Sequence, residues 1–95
     1  MITETHVEEM KGRLKLFHSY ENDHIQKLLE QSYADITYRC GSFNMKSDIR
    51  GAELVFERTR YAYNDALEFF NENFKTNITS FAIENMEVVD YENPI

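Results

Sequence analysis

The chain has 95 residues, enough for one domain with a modest core. Hydrophobic residues make up 42%, which argues against a disordered chain, and one Pro with three Gly leaves few breakers for a many-turned β architecture. The formal charge of -7 disfavours general-surface binding to phosphate backbones or to an anionic membrane, although repulsion is useful in a channel wall past which DNA must slide.

The first predicted helix begins at Thr5, which has capping-box spacing to Glu8. Val7, Met10, Leu14 and Phe17 repeat at helical intervals, and Gly12 weakens the middle by up to about 1 kcal/mol relative to Ala. A linker from His18 to Asn22 leads to a second helix, capped by Asn22 or Asp23. Its apolar stripe is Ile25, Leu28, Leu29, Ile36 and Cys40, with Ser32 as the one polar member. Gly41 stands where a helix-ending residue of positive φ belongs.

After a linker in which Phe43 and Met45 tuck against the core, the spacing predicts one long helix from Ser47, its cap, to Phe74. At 1.5 Å per residue such a rod spans roughly 40 Å. Ile49, Ala52, Val55, Phe56, Thr59, Ala62, Tyr63, Ala66, Leu67, Phe69, Phe70 and Phe74 form its apolar arc. The opposite face is mostly acidic, and Glu53/Glu57 and Glu68/Glu72 are like-charge pairs four residues apart, which destabilise an isolated helix slightly. Leu54 and Tyr61 interrupt that face one heptad apart, flanked by Arg58 and Asp65. The four suit either scattered surface residues or a contact strip for a second subunit. Beyond Phe74, the segment from Asn77 to Glu84 reads as a short strand or extended arm, and the closing ENMEVVDYENPI as a tail that orders on a partner.

The expected fold is therefore all-α: a small bundle of three main helices, the third long, with an extended C-terminal arm. Residues 1–83 form the helical domain and 84–95 the tail. The expected core includes Ile25, Leu28, Leu29, Ile36, Val55, Phe56, Tyr63, Phe70 and Phe74.

Catalytic signatures do not emerge. His6, His18 and His24 form neither HExxH nor a zinc-spaced cluster. Cys40 is the single cysteine, so no internal disulfide forms, and its place at a helix C-terminus disfavours a thiolate. The glycines make no phosphate-cradling loop, and no carboxylate pair stands out as acid and base. No apolar run approaches membrane-span length, and MITETHVEEM lacks the pattern of a signal peptide, so synthesis in the cytoplasm is expected. No cofactor or metal is expected.

Three segments resemble the small helical head–tail connector proteins of long-tailed bacteriophages, also called adaptor or head-completion proteins. THVEEMKGRLKL is similar to the family's first helix, with Val7, Lys11 and Leu14 in register, and NDHIQKLLEQSYADITYRCG to its second. RGAELVFERTRYAYNDALEFFNENFKTNI carries the closest likeness, through Arg60, Tyr61, Tyr63 and Asn64 and then Phe70, Asn73 and Phe74. The resemblance implies a non-enzymatic virion protein, made in the host cytoplasm and placed at the head–tail neck. It implies a ring of about twelve copies with heterologous contacts beneath the portal protein. The ring extends the DNA channel and docks the next neck or tail-completion protein, while the free chain is monomeric. On this reading Leu54, Arg58, Tyr61 and Asp65 are the candidate subunit contact, and Glu53, Glu57, Glu68 and Glu72 the candidate channel lining, past which DNA moves without sequence-specific binding. The alternatives are a small acidic helical regulator that binds a protein partner and, third, a small hydrolase or metal-binding bundle.

Overall fold

The computed structural model describes the backbone of residues 1–92 and the side chains through Met86. Five helices account for most of it: α1 (Glu4–Leu14), α2 (Asn22–Cys40), α3 (Ile49–Tyr63), α4 (Leu67–Asn73) and α5 (Lys75–Glu92). Among the described residues there is no strand. The three-helix bundle with a long third helix and an extended arm is thereby corrected at two points.

First, the rod expected from Ser47 to Phe74 is divided. Helix α3 stops at Tyr63, Asp65 turns into the left-handed region at φ 57, and α4 runs in a new direction. Asn and Asp enter that region more readily than other side-chain-bearing residues. The Arg60 carbonyl accepts both the Asn64 N–H (3.1 Å) and the Asn64 side-chain amide (2.9 Å), so the helical ladder runs as far as Asn64 and the break falls at Asp65. The bend folds Phe70 and Phe74 back onto Tyr61, with ring centroids 5.8 Å from Tyr61 in both cases and 5.1 Å from each other. Aromatic burial outweighs the hydrogen bonds of a straight rod.

Second, the arm is helical. Ile78, Phe81, Ala82 and Asn85 follow a 3.6-residue repeat, which prevails over the alternation read between Asn77 and Glu84. Phe81 meets Phe43 edge-on at 5.4 Å, and Arg50 of α3 reaches Ser80 (2.9 Å) and Glu84 (2.6 Å). The backbone of Glu84–Glu92 continues α5 across the expected domain boundary. Of the expected tail, residues 93–95 and the side chains after Met86 lie outside the described residues.

The helix ends also differ from expectation. Helix α1 starts a residue early, with Thr3 rather than Thr5 preceding it, and His6 Nδ1 accepts the Thr3 N–H at 2.9 Å. Asp48, not Ser47, is the N-cap residue of α3, and its carboxylate accepts the Asn44 N–H (2.9 Å) to close the preceding turn. Glu21 precedes α2 where Asn22 or Asp23 was expected. Gly41, at φ 93, ends α2 in a conformation that side chains disfavour.

The core lies where α2 and α3 pack, closed by α1 on one side and by α4 and α5 on the other. Met10, Ile25, Leu29, Ile36, Val55 and Phe70 are wholly buried. Leu28, Tyr63 and Phe74 of the expected core are only half-buried. The molecule measures 52 × 27 × 16 Å.

Candidate interaction surface

The expected contact strip comes from α3, and most of it faces elements of the same subunit. Leu54 is 4% exposed and packs beneath α4 and α5, where it lines a small hollow with Phe74 and Phe81. Arg58 bonds to α2: its Nη1 donates to Ser32 Oγ (3.1 Å) and its Nε lies 3.2 Å from Asp35 Oδ2. Tyr61 anchors the aromatic cluster and accepts a hydrogen bond from Asn73 Nδ2 at 3.0 Å. Asp65 alone stands exposed, at the α3–α4 turn.

The four candidate channel acids divide into two pairs. Glu53 takes two hydrogen bonds from Arg13 of α1, 3.0 Å from Nη1 and 3.1 Å from Nη2. Those bonds hold its carboxyl below the usual Glu range. Glu57 is gripped by Arg60 at 2.6 Å and lies 3.9 Å from Arg13. Half of the four candidates, the two on α3, are thus neutralised within the subunit. Glu68 and Glu72 are exposed on α4, and Glu72 borders a 450 Å³ hollow with Arg39 and Lys75.

Large apolar side chains remain at the surface on several separate elements. Phe17 and Tyr20 stand out in the α1–α2 connection, Tyr38 near the end of α2, Ile49 at the start of α3, Phe69 on α4, and Ile83 and Met86 on α5. Ile49 also rims an open groove of about 710 Å³ between the N-terminal parts of α1 and α3. Met45, Ala52 and Phe56 line it with His6, Glu9, Arg13, Lys46 and Glu53, so it combines apolar walls with charges of both signs.

The polar chemistry nearby is structural. Ser32, the polar member of the α2 stripe, shares a 3.0 Å hydroxyl contact with Thr59, whose hydroxyl also donates to the Val55 carbonyl at 2.8 Å. The Tyr63 hydroxyl donates to Glu21 (3.1 Å to each oxygen), and partial burial, then that carboxylate, push the phenol above its ordinary pKa. His18 stacks on Tyr20 at 3.9 Å, with Nε2 3.6 Å from Glu21. Burial pushes the Cys40 thiol up, and its Sγ contacts the Ile78 carbonyl at 3.6 Å. Among the described residues, no three His, Cys, Asp or Glu side chains gather where a metal ion would be held.

Two contacts escaped sequence reasoning for a common reason. Asn85 donates to the carbonyls of Cys40 (2.8 Å) and Ser42 (3.0 Å), and Arg13 lies over the Phe56 ring at 4.4 Å. Both join residues more than 40 positions apart, where helical periodicity carries no signal. Compared with protein-family models, curated proteins and solved structures, the chain gives no match.

Proposed function

We propose that this chain is a structural virion protein: a subunit of a ring that sits beneath the portal, joins the DNA-filled phage head to the tail and extends the DNA channel. The likeness of its helix patterns to head–tail connector proteins motivates the reading. The observation that carries it is the distribution of exposed apolar side chains, with Ile49 at the start of α3 and Ile83 and Met86 on α5. A ring needs two unlike faces on each subunit, one meeting the other around the circle. Apolar residues on separate elements supply candidates for both.

The charge of -7 per chain suits a channel that DNA crosses without adhering. Glu68 and Glu72 are the better lining candidates, because Glu53 and Glu57 are engaged by arginines. The ring partners are the portal and the next neck or tail-completion protein, and the chain needs no cofactor for this role.

Co-sedimentation with portal-containing heads, followed by electron microscopy of the neck, tests the proposal. Ring density containing this chain under the portal is the expected result. A chain absent from purified particles that instead captures a soluble protein partner supports the acidic-regulator reading and overturns the connector.

A further inference from the structure

Helices α3 and α4 are joined by Asn64, Asp65 and Ala66 alone. The Asp65 N–H bonds to the Ala62 carbonyl (3.1 Å) and the Ala66 N–H to the Tyr61 carbonyl (2.8 Å). Those two bonds make a Schellman turn, whose left-handed position is usually glycine. Here it is Asp65, at φ 57, where a Cβ is disfavoured.

The sequence around this turn does not require a break. No glycine or proline occurs between Gly51 and Pro94. The apolar series Ala62, Tyr63, Ala66, Leu67, Phe70 and Phe74 passes through the turn at helical spacing. The same residues therefore fit two backbones, the bent one and a continuous helix from Ile49 to Asn73.

Tertiary contacts select the bend. Phe70 and Phe74 rest on Tyr61; Ile78 and Phe81 rest on Cys40, Phe43 and Gly51; Arg50 holds Ser80 and Glu84; Asn85 ties α5 to the end of α2. A lone subunit that straightened would lose all of these and expose Phe70, Ile78 and Phe81. A second copy removes that loss. If each straightened chain lays its α4–α5 unit on the α2–α3 seat of the other, every contact re-forms between chains, and the left-handed turn disappears. The occupant has to be another copy, because the seat is complementary to this chain's own α4–α5 in shape, aromatic placement and charge. Short hinges under strain favour such exchange.

We propose that the protein has a second, dimeric state in which residues 64–66 become helical and two copies exchange α4–α5 reciprocally. This state does not depend on the connector reading. The compact subunit is its monomeric counterpart, and residue 65 sets the balance.

The test uses two substitutions at that exposed position, Asp65→Gly and Asp65→Ala, in the full chain. Sedimentation equilibrium measures the monomer–dimer constant. Glycine relieves the left-handed turn, so Asp65→Gly weakens dimerisation, by roughly fivefold per hinge and about 25-fold for the two hinges of a dimer. Asp65→Ala strengthens it, since Ala favours helix and tolerates the turn less well. A thiol pair identifies exchange. Ile78→Cys sets a second thiol beside Cys40, and oxidation of the isolated dimer fraction should give chains linked to each other on a non-reducing gel. Asn85→Cys, at a half-buried site, replaces it should Ile78→Cys not fold. Dimers whose disulfides stay within one chain overturn the proposal. So does an Asp65→Ala protein that remains monomeric to its solubility limit, or a reversed order of the Gly and Ala variants.

Discussion

Arg13 of α1 and Glu53 of α3 meet through two hydrogen bonds, and the same guanidinium lies over the Phe56 ring at 4.4 Å. One side chain thus fastens α1 to α3 by charge and by packing. The carboxylate is half-exposed, so the ion pair itself is worth about 0.5–1 kcal/mol. Arg13→Ala also loses the ring contact and should cost roughly 1–2 kcal/mol in total. A double-mutant cycle with Glu53→Gln, read by urea unfolding, separates the two parts. The pH dependence has a definite sign. The folded-state pKa of Glu53 is lowered, so its stabilisation is present above the ordinary Glu value and is lost as the pH falls through the lowered one. In Arg13→Ala that portion of the acid sensitivity should vanish.

Phe70 is the largest wholly buried side chain, stacked on Phe74 and edge-on to Tyr61. Phe70→Ala should cost about 3–5 kcal/mol through lost transfer energy and the cavity left behind. Phe70→Leu, which refills part of the space, should cost clearly less. Equal losses for the two variants in denaturant unfolding would show that the cluster does not hold α4 in place.

Two helical glycines should respond oppositely to alanine. At Gly12 an added Cβ would meet nothing within 4 Å beyond its chain neighbours and its own helix backbone, so Gly12→Ala should gain about 0.5–1 kcal/mol from helix propensity. At Gly51 an added Cβ would fall 2.6 Å from Phe43 Cδ2 and 2.8 Å from Phe81 Cζ. The resulting strain, typically about 1–3 kcal/mol, exceeds the propensity gain. Gly51→Ala should therefore lower the melting temperature while Gly12→Ala raises it.

That contrast marks what could be read from sequence. The periodicity of α2 located Ile25, Leu29, Ile36 and Cys40 correctly, because one face of one helix carries the whole signal. The same periodicity misled at residues 64–66. A helical pattern states which residues share a face if the helix continues, but not whether folding back buries more. Tyr61 and Phe70 lie nine positions apart and meet only after the bend. Leu54, set on the polar side of a straight rod, is buried because α4 and α5 return to cover it. The exposed Ile49 belonged to the expected apolar arc and sits instead at the rim of the α1–α3 groove.

Arg58 gives the sharpest way to separate a role inside the subunit from a role between subunits. It bridges Asp35 and Ser32 of α2, and Asp35 is also held by Arg39 at 3.0 Å. Its guanidinium side chain is 18% exposed, so truncation removes a donor from the wholly buried Ser32 hydroxyl and a cation from beside Asp35. Arg58→Ala should lower the stability of the isolated chain by about 1–3 kcal/mol. Arg58→Lys should recover only part of this, because one ammonium does not reproduce the planar fork that meets two partners. A cycle with Ser32→Ala should show coupling, since the two groups touch. Assembly gives the decisive comparison. If Arg58→Ala weakens ring formation or partner docking only as far as the lost folding stability requires, the residue acts within its own subunit. If assembly fails while the melting temperature is unchanged, the α2 contacts are incidental, and Arg58 belongs to an interface with a neighbouring copy.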